Sequence, residues 1–446
     1  SLLDDVSIVV TPNGYKAGTL FGAIPVPTEG AELVTNGDFA TDSDWNLDSS
    51  FSISGGLLTQ NGTAGRTFQS ISALETGLGT YIKVTFTVEA ISSGQFHISC
   101  YGVSSPVVTT TGTYTFTGVT SDTTNLYVNN GGYYANGSIS NISVKTFLSA
   151  DMDVTRATDA TRIDENGLIE DVLANVPRID YTGGGCPHIL VEPQRTNIVF
   201  PSDVAVTQTR TVTAVEYALS FYGTGSIVLS GTHSATLTGT GANDRVDLIF
   251  TPTAGSLVLT VSGTITNFQL EVGSYATSLI PTVSGQVTRN QDIFTRDGIG
   301  SLINSTEGVL FVEMAALSDD NARRTVSLSD GSNNNRVILR YGDSSNRVQG
   351  FIKVGGATNG DIINDSYTIT NFLKIAYKWK AGDFALWING TEVGTSADAT
   401  SFGTGVLTEL QFNQGDGTGD EYFGKVKQLQ VYDTALTDEQ LEALTS

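Results

Sequence analysis

Residues 373–390 read "LKIAYKWKAGDFALWING". Leu373, Ile375, Tyr377 and Trp379 alternate with Lys374, Ala376, Lys378 and Lys380. A period of two is that of a β-strand, because successive side chains leave the backbone on opposite faces. Lys380-Ala-Gly-Asp383 then supplies a turn. Phe384, Leu386 and Ile388 alternate with Ala385 and Trp387 as far as Asn389-Gly390. The stretch predicts a hairpin with one buried face. Trp387, out of phase with Phe384 and Leu386, is expected on an open sheet face or under a loop.

The same pattern extends through most of the 446 residues. Runs such as Tyr81–Glu89, Gln95–Tyr101 and Thr113–Val119 are separated by turn residues every 8–12 positions, the rhythm of β-sandwiches. Only 15% of residues are charged, and Thr, Ser, Asn and Gly fill the polar positions. The 39% apolar content is enough for hydrophobic cores. The fold class expected is all-β, as tandem sandwiches joined by an irregular connector. "GKVKQLQVYDTALTDEQLEAL" reads as a strand followed by one short helix, at whose start Thr437 and Gln440 have the spacing of a capping box.

Five segments follow. Residues 1–30 are too short to bury a core and are expected to anchor or oligomerise. Residues 31–148 form a first β unit, from "ELVTNGDFATDSDWNL" to "GSISNISVKTF". Residues 149–194 are charged, Pro-punctuated and poor in strand signals, and are expected to connect. Their acids are expected to pair with Arg156, Arg162, Arg178 and Arg195. Residues 195–285 form a second, shorter β unit that repeats the first. Ile139-Ser-Asn-Ile-Ser-Val-Lys aligns with Ile265-Thr-Asn-Phe-Gln-Leu-Glu, and both units open on an Asn, Asn36 and Asn197. Residues 286–446 form the third.

The net charge of −23 disfavours nucleic acid and anionic lipid as partners. No apolar run approaches the ~18 residues of a membrane span, so membrane insertion is not expected. The first ten residues carry acids where a signal peptide needs bases, so synthesis in a cytoplasm without an export signal is expected. Cys100 and Cys186 fall in different segments and predict no disulfide. His97, His188 and His233 are the only histidines. They suggest no catalytic constellation, and the chain is not expected to be an enzyme.

"LKIAYKWKAGDFALWINGTEVG" and "LQFNQGDGTGDEYFGKVKQLQVYDTALTDEQLEAL" resemble laminin-G-like, concanavalin A-like domains. "ELVTNGDFATDSDWNL", with Asn36, Gly37, Asp38, Phe39 and Trp45, is similar to the opening of jelly-roll carbohydrate-binding modules. The N-terminal segment, the stretch Asp153–Asn197 and "LEVGSYATSLIPTVSGQVTRNQD" together resemble a pattern in tailed-bacteriophage virion proteins. That resemblance implies a virion-surface protein of fibre, tail or decoration type. It would be held by other virion proteins through its N-terminal segment, oligomeric with a trimer favoured, and directed at host-surface or mucus glycans. A head or tail decoration protein without sugar binding is the alternative.

Sugar binding needs aromatic faces for C–H groups and polar side chains for hydroxyls. The first unit offers Trp45, Tyr127, and Tyr133 and Tyr134 in the loop "NNGGYYANG"; the third offers Trp387. Trp45 is equally a core residue by its position. In "GDGTGDE", Asp416, Asp420 and Glu421 are oxygen ligands for Ca2+, a cofactor the laminin-G resemblance favours. The same residues also suit a solvated acidic turn.

Overall fold

A computed structural model describes residues 6–12, 22–23, 29–75, 80–130, 132–147 and 152–446. The chain divides into two compact units, Val26–Ala150 and a larger one that combines Ser1–Pro25 with Asp151–Ser446.

The smaller unit is a β-sandwich. One sheet orders Val103–Ser104, Ile98–Cys100, Leu126–Val128, Thr67–Gln69 and Asn46–Leu47. The other is built on the long pair Tyr81–Gly94 and Ala135–Phe147. Alternation sends Val84, Phe86, Ile98, Leu126, Ile139 and Val144 into one core. A one-turn helix, Ser72–Glu75, is present here and has no counterpart in the expected elements. Cys100 lies in this core, and burial pushes its thiol up to about 12. Cys186 is exposed, and both cysteines are free.

The larger unit holds two sandwiches. Residues 195–285 fold as a four-stranded sheet facing a three-stranded one, around Leu219, Phe221, Ile227, Leu257, Phe268 and Leu270. The internal repeat has a structural counterpart. Both closing strands, Ala135–Phe147 and Ile265–Val272, carry a register shift near the aligned Asn141 and Asn267, although the first is an interior strand of its sheet and the second an edge strand. Asn197 is buried and ties the opening of the second copy to its closing strand. Its amide donates to the carbonyls of Phe268 and Ile280 and accepts from Leu270 N–H.

In the C-terminal sandwich, Leu373–Lys380 and Phe384–Ile388 pair antiparallel, with Ile375 opposite Ile388 and Lys378 opposite Ala385. Asn389 (φ 47°) and Gly390 (φ 76°) then form the two-residue turn into Thr391–Ser396. Positive φ at both turn positions is what Asn-Gly supplies. The hairpin has two buried faces rather than one: Ala376, Ala385 and Trp387 sit in a core with Tyr432, Leu436 and Leu441. The cover is the C-terminal helix Asp438–Thr445, whose capping box is formed as the spacing predicts. Thr437→Ala is expected to cost about 1 kcal/mol by leaving the Gln440 N–H without its cap, a loss read as a lower urea midpoint.

The stretch 149–194 is not an irregular connector where it is described. It forms Asp153–Thr155, Ala160–Ile163, Ile169–Val172, Arg178–Asp180 and His188–Val191. Asp153–Thr155 joins one sheet of the C-terminal sandwich through Ile293–Arg296. His188–Val191 joins the other, with Val191 opposite Gly424. Val6–Val10 continues along the same strand, with Val10 opposite Leu429. The strands Val6–Val10 and His188–Val191 thus flank Gly424–Tyr432 together and make it an interior strand of this sheet. Most of the remaining segment 1–30, including the turn at Asn13-Gly14 and the exit at Pro25 and Pro27, lies outside the described residues.

These strands escape a hydrophobic pattern search because charged groups fill their interior positions. Arg156, Arg178 and Arg289 are fully buried beside Glu192 and Asp292. Arg156 pairs with Asp292 at 2.7 Å, Arg178 with Glu192 at 2.5 Å and also with Asp292, and Arg289 with Glu192 at 2.8 Å. Burial alone would raise the Glu192 carboxyl, but Arg289 and Arg178 outweigh it and hold the group well below the ordinary carboxylate range. Arg162 pairs with Glu170 at 2.6 Å, and Arg195 lies 4.0 Å from Glu271.

Candidate functional site

In the smaller unit, the five-stranded sheet has one face in the core and one outward. Leu126, Val128, Thr67, Ile98 and Cys100 face inward. The alternate residues form a strip on the other face. Tyr127 stands opposite Phe68 on one neighbouring strand and Ser99 on the other, and Asn46 lies beyond Phe68. The Phe68 and Tyr127 ring centroids are 5.7 Å apart. The guanidinium of the exposed Arg66 lies 6.0 Å from the first ring and 5.8 Å from the second. Asn125 donates to the Tyr127 hydroxyl at 3.3 Å.

His97 follows the same alternation as Ser99, about 7 Å further along the strand. Its ring stacks on Tyr133 at 4.4 Å and 18°. Burial pushes the imidazole below its ordinary value, so it stacks uncharged at pH 7. The buried Asn129 fixes this end, accepting from the His97 N–H at 2.7 Å and donating to Gln60 at 2.6 Å. The strip therefore offers half-buried aromatic faces, a guanidinium and amides on a flat sheet, groups suited to sugar C–H faces and hydroxyls. Tyr134 is 46% exposed and adjoins the strip only through the chain. Arg66 and Phe68 were not singled out from sequence, and His97 was noted there only as a histidine without a catalytic constellation. The available signal was Phe68 standing outward of the buried Thr67 and Gln69.

Neither tryptophan belongs to such a surface. Trp45 is buried, 5.4 Å from Phe39, and its indole N–H donates to the Asn36 carbonyl at 3.1 Å. Asn36 in turn donates to the carbonyls of Thr41 and Ser43. The Asn-Gly-Asp-Phe…Trp motif is thus a self-clamped loop whose ring fills the core. Trp387 is 7% exposed, because the C-terminal helix lies over the face expected to be open or under a loop.

The acidic loop also differs from its expected role. Asp416 accepts from the Asn333 side chain and the Thr418 N–H. Asp420 faces Arg323 at 3.8 Å and Arg340 at 3.7 Å. Glu421 accepts from Gly419 N–H. Each carboxylate is turned to its own donors. Among the described residues no group of three or more His, Cys, Asp or Glu is placed to hold a metal ion. This donor set does not fit Ca2+.

The three histidines have separate surroundings. His188 is buried 3.3 Å from Asp180, and His233 packs on Phe250. Asp180 and Glu192 line one cavity. At Asp180, burial raises the carboxyl, but the neighbouring His188 and hydrogen bonds from Ile163 and Thr182 hold it low. Glu192 is held low as well. Both are ionised acceptors, the opposite of the raised carboxylic acid that glycosidic cleavage needs as a proton donor.

Residues 310–442 match the concanavalin A-like lectin/glucanase superfamily, in its laminin G type. This part of the chain is similar to concanavalin A-like domains. Its two sheets are extended by strands from outside the matched region: Val6–Val10, Asp153–Thr155, Arg178–Asp180, His188–Val191 and Ile293–Arg296. No curated protein matches the chain. Solved structures align over about a third of it. One is a leech intramolecular trans-sialidase complexed with 2,7-anhydro-Neu5Ac, at 18% identity, 32% of this chain, 23% of that one and a TM-score of 0.28. Another is CBM40 of the Ruminococcus gnavus IT-sialidase bound to α2,6-sialyllactose, at 15% identity, 34% of this chain, 98% of that one and a TM-score of 0.30. A third is domain 4 of an extracellular arabinanase from Geobacillus stearothermophilus in complex with arabinotriose, at 15% identity, 38% and 82% coverage and a TM-score of 0.28. Among the described residues no helix is long and apolar enough to cross a membrane.

Proposed function

We propose that the protein is a non-enzymatic, glycan-binding adhesin of a bacteriophage virion surface, fibre-like and oligomeric, with a trimer favoured. The observation that carries the binding reading is the strip Phe68–Tyr127–Arg66 with the His97–Tyr133 stack. The concanavalin A-like domain supports a lectin-like role. The virion reading rests on the resemblance of the N-terminal segment and residues 153–197 to phage virion proteins. One shallow sugar site binds weakly, and several copies on one particle convert weak sites into stable attachment. Attachment to other virion proteins would use the N-terminal segment. No Ca2+ is required in this reading, because the acidic loop's carboxylates are turned to protein donors.

The test is a glycan array with the full chain, run in calcium and again with a chelator. Chelator-insensitive binding to a defined glycan is expected. Tyr127→Ala is expected to weaken it about tenfold, equivalent to ~1.4 kcal/mol, with Tyr133→Ala weakening it as well. Equal binding by the Tyr127 variant would remove the strip from the reading. Antibody labelling of intact virions tests surface placement, and labelling only after disruption would overturn it. The second reading is a decoration protein without sugar binding. The burial of Trp45 and Trp387 favours it, and a folded, oligomeric sample that binds no glycan would establish it.

A further inference from the structure

Within the larger unit, a cavity of about 200 Å³ opens between the hairpin Ala160–Ile163/Ile169–Val172 and the second sandwich. Its polar lining includes Tyr222, Arg245, Asn267, Thr182 and Lys425. Ile163, Ile169 and Leu279 supply apolar wall. Tyr222 also lines both shallower grooves that continue from the cavity, so it stands at the mouth.

The charge balance inside is uneven. Both carboxylates of the lining are already engaged. Asp180 accepts from the N–H groups of Ile163 and Thr182, and Glu192 is paired with Arg178 and Arg289. Arg162 is paired with Glu170. The two remaining cations have no carboxylate partner among the described residues. Arg245 donates to the Ser220 hydroxyl at 2.8 Å and the Thr277 carbonyl at 2.6 Å, both neutral, and its buried Nε has no acceptor. Lys425 lines the cavity from the concanavalin A-like domain. Asp180 has only N–H donors and His188 around it and so offsets one of these cations. The lining as a whole, with Arg162, Arg245 and Lys425 against Asp180 and Glu192, keeps a positive excess in a chain of net charge −23, and that favours an anion there.

We infer that this cavity binds an acidic monosaccharide unit, with the sugar carboxylate at Arg245 and Lys425 and the ring against Tyr222. Asn267 and Thr182 are placed to meet hydroxyls. Inorganic anions use only the cations, whereas a sugar acid also uses the aromatic and aliphatic walls. The volume is below the ~300–1,000 Å³ of drug-sized sites, which suits one ring rather than an oligosaccharide. The site lies in the larger unit and does not depend on the strip in residues 26–150.

The experiment is titration of the full chain by ligand-observed NMR with glucuronic acid, N-acetylneuraminic acid, glucose and inorganic phosphate. Saturable binding of at least one acidic sugar, about tenfold tighter than glucose or phosphate, is expected. It should weaken as salt screens the cations. Arg245→Met is expected to weaken binding about tenfold, and Tyr127→Ala to leave it unchanged. Arg245 also holds Ser220 and Thr277, so Lys425→Met provides a second variant, on a sheet strand away from those contacts. No acidic-sugar binding, equal binding of phosphate, or wild-type affinity in a folded Lys425→Met protein would overturn the inference. Loss of binding in Tyr127→Ala alone would place acidic sugars on the other site.

Discussion

Arg178→Met is expected to destabilise the larger unit by about 3–5 kcal/mol, the cost of removing one partner from a buried ion network. The guanidinium is fully buried and serves Glu192 and Asp292 at once, with a further bond to Ser278 at 2.7 Å. Methionine fills much of the volume but leaves both carboxylates short of a cation. Trp45 is the one tryptophan of the smaller unit, so urea unfolding followed by tryptophan fluorescence in a Trp45→Phe background reports the larger unit alone. The pH dependence gives a second readout. Glu192 and Asp180 titrate below their ordinary range when folded. Their contribution is therefore present above the unfolded carboxyl values near 4 and is lost as pH falls through the folded ones. His188, pushed down by burial despite Asp180, acts in the same direction from about pH 6.5 downward. Glu271, raised chiefly by burial, opposes them, because protonation relieves it. Without Arg178, Glu192 loses much of the attraction that keeps it charged. The gap between wild type and variant should then narrow below about pH 4. A constant gap across pH 3–7 would show that packing, not charge, is what Arg178 supplies.

Trp387→Ala is expected to cost about 3–5 kcal/mol, as truncation of a buried large aromatic does. The ring fills the space between the hairpin and the C-terminal helix, against Leu436 and Leu441. Its loss should release that helix first, seen as earlier amide exchange over 438–445 and a lower urea midpoint reported by Trp379. Glycan binding at the strip should be unchanged once the protein is folded. A stable Trp387 variant that loses sugar binding would return this residue to the binding surface.

Much of the architecture was legible locally. Period-two alternation marked Leu373–Lys380 and Phe384–Ile388, Asn389-Gly390 marked the next turn, and Thr437 with Gln440 marked the helix start. These signals depend on neighbours in the chain, so sequence suffices to read them. The aligned Asn141 and Asn267 likewise announced two related sandwiches. The site was only partly legible. Tyr127 and Tyr133 were visible as aromatics, but Phe68 and His97 join them by strand pairing and Arg66 by approach across the sheet, relations that composition cannot express. Whether Trp45 and Trp387 face solvent depended on what lies above them, a clamped loop in one case and a helix some fifty residues later in the other. The stretch 149–194 shows the limit most clearly. Its residues read as an irregular connector whose acids pair with its own arginines, as Glu170 does with Arg162 and Glu192 with Arg178. Only the fold adds counter-charges from a distant segment and buries them, Asp292 for Arg156 and Arg289 for Glu192. Sequence by itself determined the alternating strands, the turns and the cap; tertiary structure decided which charges are buried and which aromatics are exposed, because both depend on partners that strand pairing and packing bring together from separate parts of the chain.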